Sequence, residues 1–320
     1  MKKSILVFLV FLCCEKRKST PYLPQSSGNI NDVSIVMKEK DWVSALGADT
    51  RNTVGGVYEG LPVDEPNFKF FHVTPEQFNG FSRHARNIIF FKRDTLNKFR
   101  IYEDLYSKPQ LFFLVQGEDP GVMANYIVEN KSLIINSIKN GERKEKIRRI
   151  KKHASKSTIL RERIGVNLVY PSIYKNVKDT INFVWLEKKI SKGTLNIISY
   201  RLPPTAISYP PKLKEVLRIR DSIGKLYIPG RIKGTYMVTE RDYKPYYYRL
   251  NINKKIIFQT KGMWEVKNDF MGGPFISNIF KDNQSGEWVV IEGFAFAPSV
   301  SKREYMFELN SILSTILIDN

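Results

Sequence analysis

The chain has 320 residues, 51 of them Lys or Arg against 32 Asp or Glu, with 42% apolar side chains and two cysteines. This balance excludes a disulfide-stapled miniprotein, a collagen-like repeat and a disordered acidic tail. At roughly 100–200 residues per domain, the length predicts about two domains, each large enough to bury a core of its own.

The formal charge of +19 raises the question of nucleic acid, because clustered basic side chains release counterions from phosphate backbones. Of the basic residues 33 are Lys, however, and Ile, Asn, Phe and Tyr are also abundant, a composition that an AT-rich genome produces without selection for any partner. Net charge of that origin bears on solubility rather than fold. No nucleic-acid partner is expected, although residues 131–163 hold twelve basic and three acidic side chains and supply +9 of the total.

The N-terminus is the most specific signal. Met1-Lys2-Lys3-Ser4 is a short positive segment, and Ile5 to Leu12 is an unbroken apolar run ending at Cys13-Cys14. A spanning helix needs about 20 apolar residues, so the run fits a secretory leader rather than a membrane anchor. A cysteine at that junction is similar to a bacterial lipobox. Cys14 is the better lipidation site, since cleavage ahead of it leaves the small Cys13 in the preceding position, whereas use of Cys13 puts the bulky Leu12 there. Acyl chains contribute about 0.8 kcal/mol per buried methylene, so several on one sulfur hold a protein at a membrane. The expected organisation is therefore a leader over 1–14, a flexible tether over 15–29, and two halves over 30–155 and 156–320. After Cys14 there is no further cysteine, which removes disulfides, thiolate nucleophiles and Cys-ligated zinc.

In chain order, Val33–Met37, Phe68–Val73, Asn87–Phe91 and Leu111–Val115 read as strands. Asp119-Pro120 opens a helix, with Asp as cap and Pro at the first position, and Asn140-Gly141 is a plausible stop. Met123, Tyr126, Ile127, Ile134 and Ile138 fall near one face of it. Glu142 to Ser157 has little apolar content and reads as a solvated helix or linker with Glu142–Lys146 and Glu145–Arg149 pairs. Strands follow at Val166–Tyr170, Thr180–Trp185 and Leu195–Tyr200, then a helix over roughly Pro211–Tyr227. Tyr246–Ile252 with Lys255–Thr260, and Phe275–Phe280 with Trp288–Phe296, read as hairpins. Ser301 and Glu304 form a capping box ahead of the apolar stripe Tyr305, Met306, Leu309, Ile312, Leu313 and Ile316. The expected class is α+β, with antiparallel sheets, helices packed on one face, and two halves that could be related.

Signatures of nucleotide, dinucleotide and serine-hydrolase sites are absent from the sequence. The histidines His72, His84 and His153 are too far apart for helical ligand spacing, so neither metal nor cofactor is expected. Asp64-Glu65, between two prolines, could offer paired carboxylates or simply solvate a tight loop. Arg83 and Arg86 could fork an anion, or pair with nearby carboxylates such as Asp64 or Glu65. Gly272-Gly273 after Asp269 suits a structural corner or a close backbone approach. Glu292-Gly293 inside a strand suggests a bulge that turns the carboxylate out of the ladder.

The chain resembles the domain-of-unknown-function lipoproteins of the Bacteroidota. The resemblance lies in Tyr22–Asn31 after the leader, Gly60-Leu61-Pro62 with Asp64-Glu65-Pro66, and Phe78–Phe81 with Arg83, Arg86 and Asn87. It continues in Met271–Phe275, Glu292–Phe294, and Ala297-Pro298 with Lys302-Arg303. It implies a cell-envelope lipoprotein, lipid-anchored to the inner or outer membrane, and brings no activity or catalytic residue with it. The sequence expectation is thus a binding or scaffolding module whose partner is an envelope protein or glycan, with Arg303 added to its candidate surface. The alternative is an envelope hydrolase using Asp64, Glu65, Asp269 or Glu292 as acid and base, which requires two of them to share a cleft.

Overall fold

The computed structural model describes residues 22–252 and 254–318, so the leader, Cys13 and Cys14 lie outside the described residues. From Pro24 onward the chain is already tied down. Lys108 N–H donates to Pro24 O, Ser27 N–H to His84 O and Arg86 N–H to Ser27 O, so the expected flexible stretch does not extend to Asn29.

The first half runs β1 (Asp32–Val36), α1 (Glu39–Trp42), α2 (Ala45–Gly55), β2 (Lys69–Val73), β3 (Asn87–Arg93), β4 (Lys98–Glu103), β5 (Leu111–Gly117), α3 (Pro120–Glu129) and α4 (Lys131–Lys151). Its sheet has the order β2-β1-β3-β5-β4. The α+β class and two-part organisation hold, but this sheet is not purely antiparallel: β1 is parallel to β2 and β3, β3 is parallel to β5, and only β4 runs antiparallel, to β5. The long connections between β1, β2, β3 and β5 allow the chain to return to the same end, as parallel pairing requires. One face is covered by α2, α3 and α4 through Leu46, Val54, Met123, Ile127, Ile134 and Ile138. The other carries Phe78, Ile88 and Phe112.

Asp119 caps α3 as expected, its Oδ1 accepting from Val122 N–H at 3.0 Å. The anticipated helix breaks at Asn130 and then continues past Gly141 to Lys151. Gly141 does not end the helix: it lies within α4 over β5, where a Cβ would reach ordinary contact distance, 3.4 Å, from Leu111 Cδ1. Nor is the following segment solvated. Glu142 is fully buried and Glu145 nearly so. Glu145 pairs with Arg149, as the spacing suggests, and also with Arg148. Glu142 instead accepts from Arg86 Nε at 2.6 Å, Asn87 Nδ2 at 2.6 Å and Asn31 N–H at 2.8 Å.

The second half runs α5 (Ile159–Ile164), β6 (Val166–Asn167), β7 (Lys175–Thr180), β8 (Phe183–Ile190), β9 (Gly193–Leu202), α6 (Leu213–Tyr227), β10 (Met237–Thr239), β11 (Tyr246–Ile252), β12 (Lys255–Val266), β13 (Gly272–Lys281), β14 (Trp288–Phe296), α7 (Arg303–Leu313) and β15 (Leu317–Ile318). Its antiparallel sheet has the order β10-β12-β13-β14-β9-β8-β7, with β11 also on the outer edge of β12. Helices cover both faces, not one. Successive strand residues point to opposite sides: on β14, Glu292 meets Arg220 of α6, whereas a Cβ on Gly293 would lie 2.9 Å from Leu309 Cβ of α7. Gly293 therefore marks a close helix approach, and the ladder passes through both residues without the expected bulge. With one mostly parallel and one antiparallel sheet, the halves do not repeat one topology.

The halves meet along α4 and α7. Ile30, Tyr58, Leu61 and Ile150 share a core cluster with Met306, Leu309, Ile312, Leu313 and Ile316. The expected Ser301–Glu304 box is replaced by a long-range cap. Glu65 Oε1 accepts from Lys302 N–H at 2.7 Å and Oε2 from Arg303 N–H at 3.0 Å, with Ser301 Oγ donating to it as well. Further along α7, Glu308 bridges Lys146 at 2.8 Å and Lys188 at 2.6 Å. Burial opposes its ionisation, but the two ammonium groups outweigh burial and hold its carboxyl below the usual range.

Breaking a buried ion pair by deleting one member costs roughly 3–5 kcal/mol, because the other charge is stranded. Glu142→Ala is therefore expected to lower the unfolding free energy by about 3 kcal/mol or more in urea titrations, while the exposed Glu103→Ala stays within about 0.5 kcal/mol of wild type.

Candidate functional site

A cleft of about 970 Å³ lies in the second half between α6 and the β10–β12 edge of the sheet. The helix is two-sided by residue spacing. Val216, Arg220 and Gly224, four apart, are buried. Lys214, Arg218, Asp221 and Lys225, spaced by four or three, line the cleft. Gly224 belongs where it is, since a Cβ would stand 2.3 Å from Met237 O of β10.

A polar anchor fixes this helix. Arg220 Nη2 and Nε donate to Glu292 at 2.8 and 3.0 Å, its Nη1 donates to Thr239 Oγ1 at 3.1 Å, and its guanidinium sits 3.8 Å above the Phe275 ring. Burial pushes the Glu292 carboxyl upward despite Arg220. Asp221, one residue on, accepts from Thr239 N–H and Oγ1, both at 2.7 Å, and so ties β10 to the helix from the cleft side.

The cleft floor comes from strand register. Val238 lies opposite Glu265, and Glu240 N–H donates to Met263 O, which sets Glu240 beside Glu265. Burial, then a hydrogen bond with the Glu240 carboxyl and the fields of Glu240, Asp242 and Asp221, raise the Glu265 carboxyl above its ordinary value. A second cleft of about 550 Å³ also uses Glu240, Tyr243 and Glu265 and adds Asp242, Asp269 and the exposed Phe270. The result is a trough with a carboxyl-rich middle and the lysines and arginine of α6 along one bank.

The residues singled out in the sequence are dispersed. Asp64 is exposed, Glu65 caps α7, and Glu292 is sealed under α6. Asp269 is bound by Arg231 at 3.0 Å and is the member of this set, with Gly272, that lines the trough. Gly273 is a close approach, since a Cβ would fall 2.0 Å from Ala295 O. Arg83 reaches Phe78 O and lies 5.2 Å from the Tyr106 ring centre, while Arg86 finds Glu142 rather than Asp64 or Glu65. Arg303 donates to Pro66 O and Glu304. With Glu65 and Glu292 engaged in structural contacts, these carboxylates do not supply a shared acid–base pair. The trough residues Asp221, Glu240 and Glu265 are far apart in sequence, and the charged stripe on α6 is the one signal that points to them. Among the described residues no group of three His, Cys, Asp or Glu is arranged to hold a metal ion, and no helix is long and apolar enough to cross a membrane.

Fold and trough together define a two-part α+β protein with an open, ligand-sized cleft on its second half. The chain belongs to the family defined by the domain of unknown function DUF4837, which matches residues 153–315; a second domain of unknown function, DUF8532, matches residues 26–151. No curated protein matches the chain. Among solved structures it is similar to the Ran-binding protein Mog1p of Saccharomyces cerevisiae, with 12% identity over 48% of this chain and 90% of that one and a TM-score of 0.32. It is also similar to LpqN, involved in cell envelope biogenesis of Mycobacterium tuberculosis, with 12% identity over 48% and 83% of the two chains and a TM-score of 0.29.

A carboxyl raised in the folded state favours folding while it is protonated, and that contribution is lost as pH rises through its folded pKa. Glu265→Gln, which fixes the neutral form, is therefore expected to match wild type near pH 4 and exceed it near pH 7. The gain should be below about 1 kcal/mol, since both carboxyls are half-buried and still screened by solvent. Guanidinium titrations at the two pH values measure it.

Proposed function

We propose that the chain is a non-enzymatic binding module of the bacterial cell envelope, anchored by lipid on Cys14, that takes its ligand in the trough beside α6. The observation supporting the binding reading is the trough itself: a cleft of about 970 Å³, walled by a helix locked through Arg220–Glu292 and floored by the Glu240–Glu265 pair. Ligand sites are concave, largely preformed and marked by a few convergent polar groups with perturbed ionisation. The mixed lining suits an envelope protein segment or glycan that presents an amine to the carboxyls while apolar parts rest on Leu213, Leu217 and Tyr236. The anchor reading rests on the eight-residue apolar run before Cys13-Cys14 and on the resemblance to envelope lipoproteins.

Two measurements test the parts separately. Metabolic labelling with a fatty-acid probe is expected to mark wild type and to be lost in Cys14→Ala; equal labelling rejects the anchor. For the trough, amide NMR spectra of the folded part are recorded with solubilised envelope peptides and glycan fragments. Saturable shifts are expected at Leu217, Ser222 and Val238, and they should vanish in Ser222→Trp, which places an indole in the cleft. Shifts confined to other surfaces reject the trough assignment.

A further inference from the structure

A second cluster lies where the halves meet, apart from the trough. On α4, Lys139 and Arg143 are one turn apart, a spacing that puts their side chains side by side, and like charges so placed repel. Across from them, the loop after α2 supplies Tyr58 and Glu59, β12 supplies Lys261 and β11 supplies Tyr248. The Lys261 ammonium is 3.0 Å from Glu59 Oε2 and 5.4 Å from the Tyr248 ring centre, and the Lys139 ammonium is 5.6 Å from the Tyr58 ring centre. Tyr58 is buried, and Lys139, Arg143, Glu59 and Lys261 are half-buried.

The charges do not balance. Four cations, Arg303 included, face two carboxylates: Glu304 is paired with Arg303 and Glu59 is bonded to Lys261. Tyr58 adds no negative charge, because burial and the neighbouring Glu304 raise its hydroxyl further above its ordinary value. Among the described residues neither Lys139 nor Arg143 has a carboxylate within ion-pair distance or a hydrogen-bond acceptor. The strain shows in their ionisation. Burial, then Lys261 and Arg143, bring Lys139 down to about 8 against the pull of Glu59, and burial lowers Arg143 with only Tyr58 opposing.

Half-buried cations without partners cost stability unless an anion completes them. The excess of two positive charges equals the charge that a phosphate monoester approaches at neutral pH, about −1.5 to −2. A guanidinium fork beside an ammonium is suited to tetrahedral oxygens. We propose that Lys139, Arg143 and Lys261 form a phosphate-binding site between the halves, with Tyr58 and Tyr248 as its walls. A phosphate there ties α4 of the first half to β12 of the second, so occupancy of this site stiffens their junction.

The test uses the folded chain lacking its leader, with inorganic phosphate as probe at constant ionic strength set by chloride. Heteronuclear NMR of the Lys side chains is expected to show a saturable shift of the Lys139 signal and a rise of its pKa from about 8 by one unit or more. Thermal melts should rise with phosphate in step. In the Lys139→Gln/Arg143→Gln double variant, phosphate affinity should fall at least tenfold, while Lys156→Gln, an exposed control, binds as wild type does. A parallel arm with vesicles containing 20% phosphatidic acid asks whether the phosphate comes from a lipid headgroup. Saturable vesicle binding lost in the double variant assigns that source, and a response to inorganic phosphate alone assigns a soluble one. An unmoved Lys139 pKa in both arms, or equal affinity in the double variant, overturns the site. The trough plays no part in these readouts, so a failure here leaves the reading of the trough untouched.

Discussion

The carboxylate of Glu142 sits with no exposure at all and is held by Arg86, Asn87 and the backbone of Asn31. An ionised carboxylate in such a place is tolerable only when its lone pairs are met by donors. Three segments distant in sequence must therefore arrive together: the residue before β1, the start of β3, and the middle of α4. From Asn31 the chain of contacts continues to Glu304 of α7 at 3.3 Å, and Arg86 also reaches Asn29 O at 2.6 Å. One buried group thus sets the height of α4 over the parallel sheet and ties the entry strap of the chain to the far half.

With α4 fixed in rotation, its other side is fixed as well. Ile134, Ile138 and Glu142 turn inward. The adjacent stripe of Lys139, Arg143 and Lys146 faces the second half, where Lys146 meets Glu308 and the other two enter the cation cluster. The polar junction between the halves is a consequence of how one helix is keyed into the first.

The second half uses the same device. Arg220 and Glu292 key α6 onto β14, which leaves the lysine and aspartate stripe of the helix facing β10 and opens the trough between them. Replacing such a pair with apolar residues is often neutral for stability. Its contribution here is positional: a guanidinium with a bidentate carboxylate, a threonine hydroxyl and an aromatic face around it has one orientation that satisfies all of them, so helix register and cleft geometry are set together.

Local signals in the sequence determined much of the framework. Short apolar runs marked β1, β3, β5 and the long antiparallel hairpins; Asp119-Pro120 marked a helix start; and the stripe from Met306 to Ile316 marked α7. These depend on neighbours within a few residues, which any reading of the chain can see. The short α1 and α2 escaped because their apolar positions are sparse, and β4 because it alternates weakly at a sheet edge. What only the tertiary structure decided are the long-range polar pairings: Glu65 with α7, Arg86 with Glu142, and Arg220 with Glu292. A charged residue looks the same in sequence whether water or a buried partner will satisfy it. Burial supplies the difference, because it is the loss of solvent that forces each charge to find its counterpart, and burial exists only after the two sheets and their helices have closed on one another.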